Sequence, residues 1–381
     1  MTGTGVIAIA RKEFFDHLIS RKFLLVFAIL LIVAVVGILT GISDYNSAIT
    51  KYNYNQKTAS QESGAQSAAD LAMKTKPSVL LVFYQMGLLF EMIGAILGIA
   101  MGFDLVTKEK ESKSLKILLA HPVYRDEVIN GKALGGIAAI VLALGTTMAI
   151  SGALLVLSGI FPEPSEILPI LLFCAATFLL IFGLFSIAIF MSTICEESGR
   201  ALVYTLVVFV MLYAFIPSLI MSPVVVDHVI GPAPEMPKID TGAMEKAMES
   251  GNKEEADQLQ KQSKDAWEAY SQQSEVYFKK QMDWINLEYL FSPVNNYERI
   301  SIFLTNPTAR SELLHGIRGI SGGNINTKDP EIEVTVMGRE VTDFDLPGIL
   351  ALLAANLAAL LILPAVFFGM AYVCFMRMDI R

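Results

Sequence analysis

Apolar and polar residues follow one another along this chain in long blocks, not at the short spacing of a soluble fold. Six blocks stay apolar for about 20 residues or more, the length a helix needs to cross a hydrocarbon core. They are roughly Phe23–Ile42, Val79–Phe103, Leu134–Ile160, Ile167–Ile194, Ala201–Met221 and Pro347–Phe375. The pattern predicts an α-helical polytopic membrane protein with six transmembrane helices. A cleaved leader in place of the first helix is not expected, because its apolar run exceeds the ~7–15 residues of a leader core.

Two other patterns flank these blocks. In Ala10–Phe23, Phe14, Phe15, Leu18 and Ile19 recur at helical spacing, with Arg11, Lys12, Glu13 and Asp16 on other faces. This predicts a helix over 10–22 lying at the inner membrane surface; the competing reading extends the first span into the cytosol. Between the fifth and sixth spans lies a polar block, 222–346, longer than a structureless connector usually runs. Ala243 to Trp284 is rich in Glu, Lys, Gln and Ala and reads as solvated helix. In EIEVTVM, Ile332, Val334 and Val336 alternate with polar residues, a strand pattern. MGRE could turn it into a second strand through Val341. A small extracytoplasmic α+β domain is expected here, either a solvated cap or a platform for substrate or partner. The organisation is then 1–221, the membrane domain with an elbow at 104–133; 222–346, the extracytoplasmic domain; and 347–381, the sixth helix and a cytoplasmic tail.

Charge fixes the expected orientation. The chain has 381 residues, 17% of them charged and 54% hydrophobic, against about 25% charged in soluble proteins. All 29 Lys and Arg lie outside the six spans. Arg11, Lys12, Arg21 and Lys22, then the elbow, then Arg200, then Arg377 and Arg381 fall alternately on one side. Short loops rich in Lys and Arg stay in the cytoplasm. Both termini and the elbow are therefore expected on the cytoplasmic side of the cell membrane, and the 222–346 block outside. That block holds 12 Lys and Arg against 21 Asp and Glu, a balance of −9, so the rest of the chain sums to about +1 of the net −8. No basic face suggests nucleic acid.

Chemistry of its own is hard to find. The three cysteines, Cys174, Cys195 and Cys374, lie in or beside apolar runs, and the four histidines are isolated, so neither a disulfide framework nor a metal site is expected. There is no P-loop, no H-E-x-x-H and no G-x-S-x-G. No catalytic residue and no cofactor held by this chain are expected.

One span carries a charge. Glu91 is the single Asp, Glu, Lys or Arg within the six runs, and Gly87, Gly94, Gly98 and Gly102 share its helix face. Small residues let backbones approach closely. A carboxyl at this depth must face protein or water. The glycines read as a packing stripe. Glu91 reads either as a pathway or gate residue or as a buried structural carboxyl.

The elbow is the densest charge in the first half of the chain. From Asp104 to Lys132 it carries six cations and five carboxylates. Lys108 to Leu119 is helix-compatible, with Leu115, Leu118 and Leu119 as an apolar stripe. His121-Pro122 breaks it, and Tyr124–Lys132 can restart a helix. Such an elbow can dock in a cleft of a soluble partner or be an ordinary cytoplasmic loop.

Glu109 or Glu111, Lys113-Ser114, Leu115, Leu118-Leu119, Ala120, Pro122-Val123, Tyr124-Arg125, Glu127, Val128 and Gly131-Lys132 together resemble the loop after the second span of ABC-2 type permeases, the membrane subunits of a class of ABC transporters. The family usually has Gly-Thr where Lys113-Ser114 stand, and a Ser where His121 stands. Ala10–Phe23 resembles the family's interfacial first helix. FSPVNNYERISIFLTNP (Phe291–Pro307) resembles its S-P-x-x-x-Y-x-x-I segment, in a branch linked to copper-enzyme maturation and gliding, and FMRMDIR its F-x-R-x-D ending. The resemblance implies a permease subunit with an exporting role, paired with a second permease subunit. A separate ATPase subunit holds ATP and Mg and is met by Glu109, Glu111, Leu115, Leu118, Leu119, Pro122, Arg125 and Glu127. Two other classes compete: a membrane-anchored receptor or assembly factor acting through its outer domain, and a passive channel. A channel would more often show charged or polar rings in its spans.

Overall fold

A computed structural model describes residues 4–59, 76–114, 124–238, 242–243, 246, 253–305, 335–336, 339–340 and 346–378. Contacts divide the chain into two units. The membrane unit comprises Met1–Ile216, Tyr289–Arg310 and Phe344–Arg381; the second comprises Pro217–Glu288 and Ser311–Asp343. The 222–346 block therefore contributes to both.

The membrane unit is helical. Its elements are α1 (Thr4–Ile19), α2 (Arg21–Ala59), α3 (Leu80–Gly102), the short α4 (Thr107–Glu111), α5 (Arg125–Leu157), α6 (Pro164–Ile194) and α7 (Ser198–Val210). Helix α7 runs on through one π turn, Met211–Phe215, into Ile216–Ile220. The π turn ends two residues before Pro217, which lacks an N–H and crowds the carbonyl four residues back. Among the described residues six helices are long and apolar enough to cross a membrane: Arg21–Tyr54, Leu80–Glu111, Arg125–Leu157, Pro164–Ile194, Ser198–Ile220 and Pro347–Arg377. They coincide with the six apolar blocks.

Packing follows the small residues. Helix α2 lies on α3, where Gly37 and Gly41 meet the backbone of Met86 and Val82. Helix α3 lies on α6 through the expected stripe. A β-carbon added at Gly98 would run into the Ile181 carbonyl oxygen, and one at Gly102 would stand 2.7 Å from that of Phe185. Gly94 faces the Ile181 side chain. Helix α1 lies on α5 in the same way, with Gly131 against Ile9 and Gly135 against the Ala10 carbonyl. Ser20 separates α1 from α2 by accepting the Phe23 N–H and donating to the His17 carbonyl, so α1 is a helix of its own and not an extension of the first span. Its outward side carries Ile7 at 69% exposure, Phe15 at 48% and Ile19 at 75%, while Glu13 and His17 are buried. A helix with its polar residues inward and its apolar ones outward suits a lipid boundary.

Two further helices complete this unit: α10 (Pro293–Thr305), set among α3 and α6, and α11 (Leu346–Arg377), which also packs on α6 and passes Pro364 without ending. Helix α10 is too short and too polar to announce itself as a membrane element. Its polar groups are matched inside the unit: the Tyr297 hydroxyl lies 3.1 Å from that of Thr177, and Asn356 of α11 donates to Asn296 at 2.6 Å. Gly87 leaves room for Ser301 of α10, which a β-carbon there would strike.

In the second unit, α8 (Pro223–Val229) is followed by residues 231–238, which form neither helix nor strand. The long α9 (Lys253–Phe291) follows, its last residues belonging to the membrane unit. Trp284 donates from Nε1 to the Ile220 carbonyl at 3.0 Å. Strands β1 (Thr335–Val336) and β2 (Arg339–Glu340) pair antiparallel over two rungs, Thr335 with Glu340 and Val336 with Arg339. They occupy the expected hairpin, but two-residue strands build no sheet layer. The expected α+β domain is not supported: the described residues of this unit are otherwise helix, turn and irregular chain.

Candidate functional site

The elbow end of the membrane unit gathers the charges. Helix α4 ends early. Ser112 Oγ donates back to the Lys108 carbonyl at 2.9 Å, and Lys113 takes φ 58°, the left-handed region. The helix expected through Leu119 is therefore interrupted at Ser112-Lys113. A left-handed conformation costs a non-glycine residue about 1 kcal/mol. Lys113→Gly is expected to raise the thermal midpoint by the equivalent of about 0.5–1 kcal/mol, read in a detergent melt.

Most of the elbow's charges meet partners inside the chain. Lys110 is almost wholly buried and donates to the carbonyls of Thr193 at 2.8 Å and Cys195 at 2.7 Å, where α6 ends. A cation at a helix C-terminus satisfies carbonyls that have no partner within the helix. Arg125 does the same for α11, donating to Met376 O at 3.1 Å and Met378 O at 2.7 Å. The Glu111 carboxylate accepts the Ser198 N–H in the first turn of α7. Glu127 accepts its own helix's Tyr124 N–H at 3.2 Å, closing the start of α5. Ser192 Oγ accepts the first N–H groups of α4, from Val106 at 2.9 Å and Thr107 at 3.1 Å. Lys22 pairs with Asp104 and lies 4.9 Å over the Phe103 ring.

At the centre is Lys132. Its side chain is 2% exposed, and its Nζ donates to Glu13 Oε1 of α1 at 2.9 Å and to Glu109 Oε1 of α4 at 2.7 Å. Three elements meet at one ammonium. Burial pushes the Glu13 carboxyl up, but Lys132, its hydrogen bond and Lys12 more than offset this, so the group is held below the ordinary 4.5. One turn away, His17 is buried, and its Nε2 has no hydrogen-bond partner among the described residues. Burial, then the Lys22 and Lys132 charges, push its pKa down to about 4 against the opposing pull of Glu13 and Asp104.

The structure thus turns Glu111, Arg125 and Glu127 toward helix ends of this same chain and Glu109 toward the Lys132 ammonium. Leu115, Leu118, Leu119 and Pro122 lie outside the described residues. Sequence reading missed Lys132 and Glu13 as a pair. A lysine flanking an apolar run ordinarily reaches the membrane surface, so its position gave no sign of a buried partner. Lys110 and Ser192 carried no signal of their own. Glu91 sits half-buried on α3, within electrostatic range of Glu298 of α10 and of Tyr213 in the π turn, so α10 brings a second carboxylate to its neighbourhood. At the other end of the spans, Glu166 joins the starts of α6 and α3, accepting from Glu163 N–H at 2.8 Å and Val79 N–H at 2.9 Å. Among the described residues no group of three or more metal-ligating side chains occurs.

Six long apolar helices, joined at one end by a buried charge network, define a multi-pass membrane protein. Its family follows from comparison: a model described as ABC-2 family transporter protein matches residues 7–380, and the chain belongs to that family. Comparison with curated proteins returns no match.

Proposed function

We propose that this chain is the permease subunit of an ATP-driven exporter, working with a separate ATPase subunit that holds ATP and Mg and with a second permease subunit. Family membership supports the transport role. The observation that carries the coupling is the elbow itself. Its charged side chains tie α4 and the start of α5 to the ends of α6, α7 and α11 and to α1. A force that moves α4 and the start of α5 then bears on α1, α6, α7 and α11 through side-chain bonds. The Lys and Arg distribution supports a cytoplasmic elbow, cytoplasmic termini and an external second unit.

Tagged and extracted in mild detergent, the chain is expected to bring down a soluble ATPase carrying a P-loop. Leu118→Asp, on the stripe of the elbow, is expected to lose that ATPase while the permease stays folded. Undiminished capture by the variant would overturn the elbow as the docking element.

A further inference from the structure

Lys132, Glu13 and Glu109 form a buried ion triad, and stability does not explain it. Taking charges out of water is costly, and replacing such a triad by apolar groups of similar size is often neutral or stabilising. What the triad supplies is position. Lys132 stands at the start of α5, packed on α1 through Gly131 and Gly135. Glu109 belongs to α4, which reaches Lys132 across a stretch of chain that includes the elbow's tip. The two carboxylates are not equivalent. Glu13 lies deeper and has a second cation, Lys12 at 3.4 Å. Glu109 has one bonded oxygen, Oε1, while its buried Oε2 has no partner among the described residues. The ammonium is thus fixed to α1 and α5 on one side and holds the elbow through one bond on the other.

We propose that Lys132 is the positioning residue through which displacement of the elbow is passed to α1. The claim rests on the permease reading above and adds to it a route. The elbow's ties to α6, α7 and α11 run through Lys110, Glu111 and Arg125. The start of α5 packs on α1 directly at Gly131 and Gly135, but the tie from α4 to α1 runs through Glu109 and Lys132. Removing the triad leaves the first set intact and cuts the link from α4, so α1 stops following α4 while the other helix ends still do. Any shift driven this way requires that the motor bind the two elbow positions with different affinity.

The experiment uses the permease with its captured ATPase, in a chain whose Cys174, Cys195 and Cys374 are replaced. One reporter cysteine is placed at Ser114 in the elbow or at Ile19, exposed on α1. Maleimide labelling rates are compared with and without Mg-ATP plus orthovanadate. Lys132→Met alone would strand two carboxylates. The test therefore uses the triple variant E13Q/E109Q/K132M, which leaves no charge unpaired, beside Lys132→Arg, which keeps the charge. The native chain is expected to show a nucleotide-dependent change at both reporters. In the triple variant the change at position 114 persists and that at 19 shrinks about five-fold; Lys132→Arg keeps both. A general structural defect would depress both reporters together. An undiminished response at position 19 in the triple variant overturns the route and leaves the permease reading standing. Failure of the native chain to capture any ATPase overturns both.

Discussion

Leucine at Gly98 is expected to dismantle the membrane unit. The reason is the close approach of α3 and α6: Gly94, Gly98 and Gly102 fall on one face of α3, and α6 lies against that face with its backbone. At Gly98 the nearest group is the Ile181 carbonyl, followed by the Phe185 backbone nitrogen at 3.0 Å from an added β-carbon. Neither is the movable tip of a side chain, so the helices themselves must separate. Overpacking costs typically about 1–3 kcal/mol and more where nothing can yield. Folded proteins hold only about 5–15 kcal/mol in reserve. Separation would also disturb the α10 contacts beside Gly87. Gly98→Leu should therefore lower the thermal midpoint in detergent sharply and reduce the folded yield. Gly152→Ala is the control: nothing stands within 4 Å of its added β-carbon, and replacing a mid-helix glycine favours the helix by about 0.8–1 kcal/mol. Equal melting of Gly98→Leu and the native chain would remove the close packing of α3 on α6 from the account.

Acidification should destabilise the elbow end in two stages. His17 is folded with a pKa of about 4, below its ordinary 6.5. Between those values the unfolded chain binds a proton that the folded chain does not, so stability falls as pH drops from 6.5 to 4. The full displacement corresponds to about 3 kcal/mol. Glu13 acts in the same direction at lower pH. Its folded value is depressed below 4.5, so its contribution is present above 4.5 and is lost as pH falls through the folded value. Melts from pH 7.5 to 4 should show a steep loss of midpoint in the native chain and a much shallower one in His17→Gln over 6.5–4. Parallel profiles would mean that His17 is not held neutral in the folded protein.

The architecture was legible where one physical rule dominates. A helix in hydrocarbon must be apolar for its whole crossing, so the six spans stand out from the sequence. The glycine stripe of α3 was legible because 3.6-residue periodicity needs no knowledge of the neighbouring helix. Helix α2 runs past Ile42 to Ala59, beyond the apolar run, because that polar stretch holds no proline to stop it. Helix α10 escaped because its apolar face is short and its Asn296, Tyr297 and Ser301 find partners only in the fold. The triad escaped for the same reason: residues 13, 109 and 132 come together through the packing of α1 on α5, and no local spacing encodes that. Lys113 shows the reverse case, a left-handed turn at a residue whose type gives no hint of it. The elbow was found by its charge, but what those charges do could be read only from the helix ends they reach.

The account's central claim is that the elbow between α3 and α5 lies in the cytosol, where a motor can move it. Labelling tests this most directly. With Leu118→Cys as the sole cysteine, a membrane-impermeant maleimide should leave intact cells unlabelled and label inside-out vesicles, and the captured ATPase should protect the site. Labelling of position 118 in intact, sealed cells would contradict the claim.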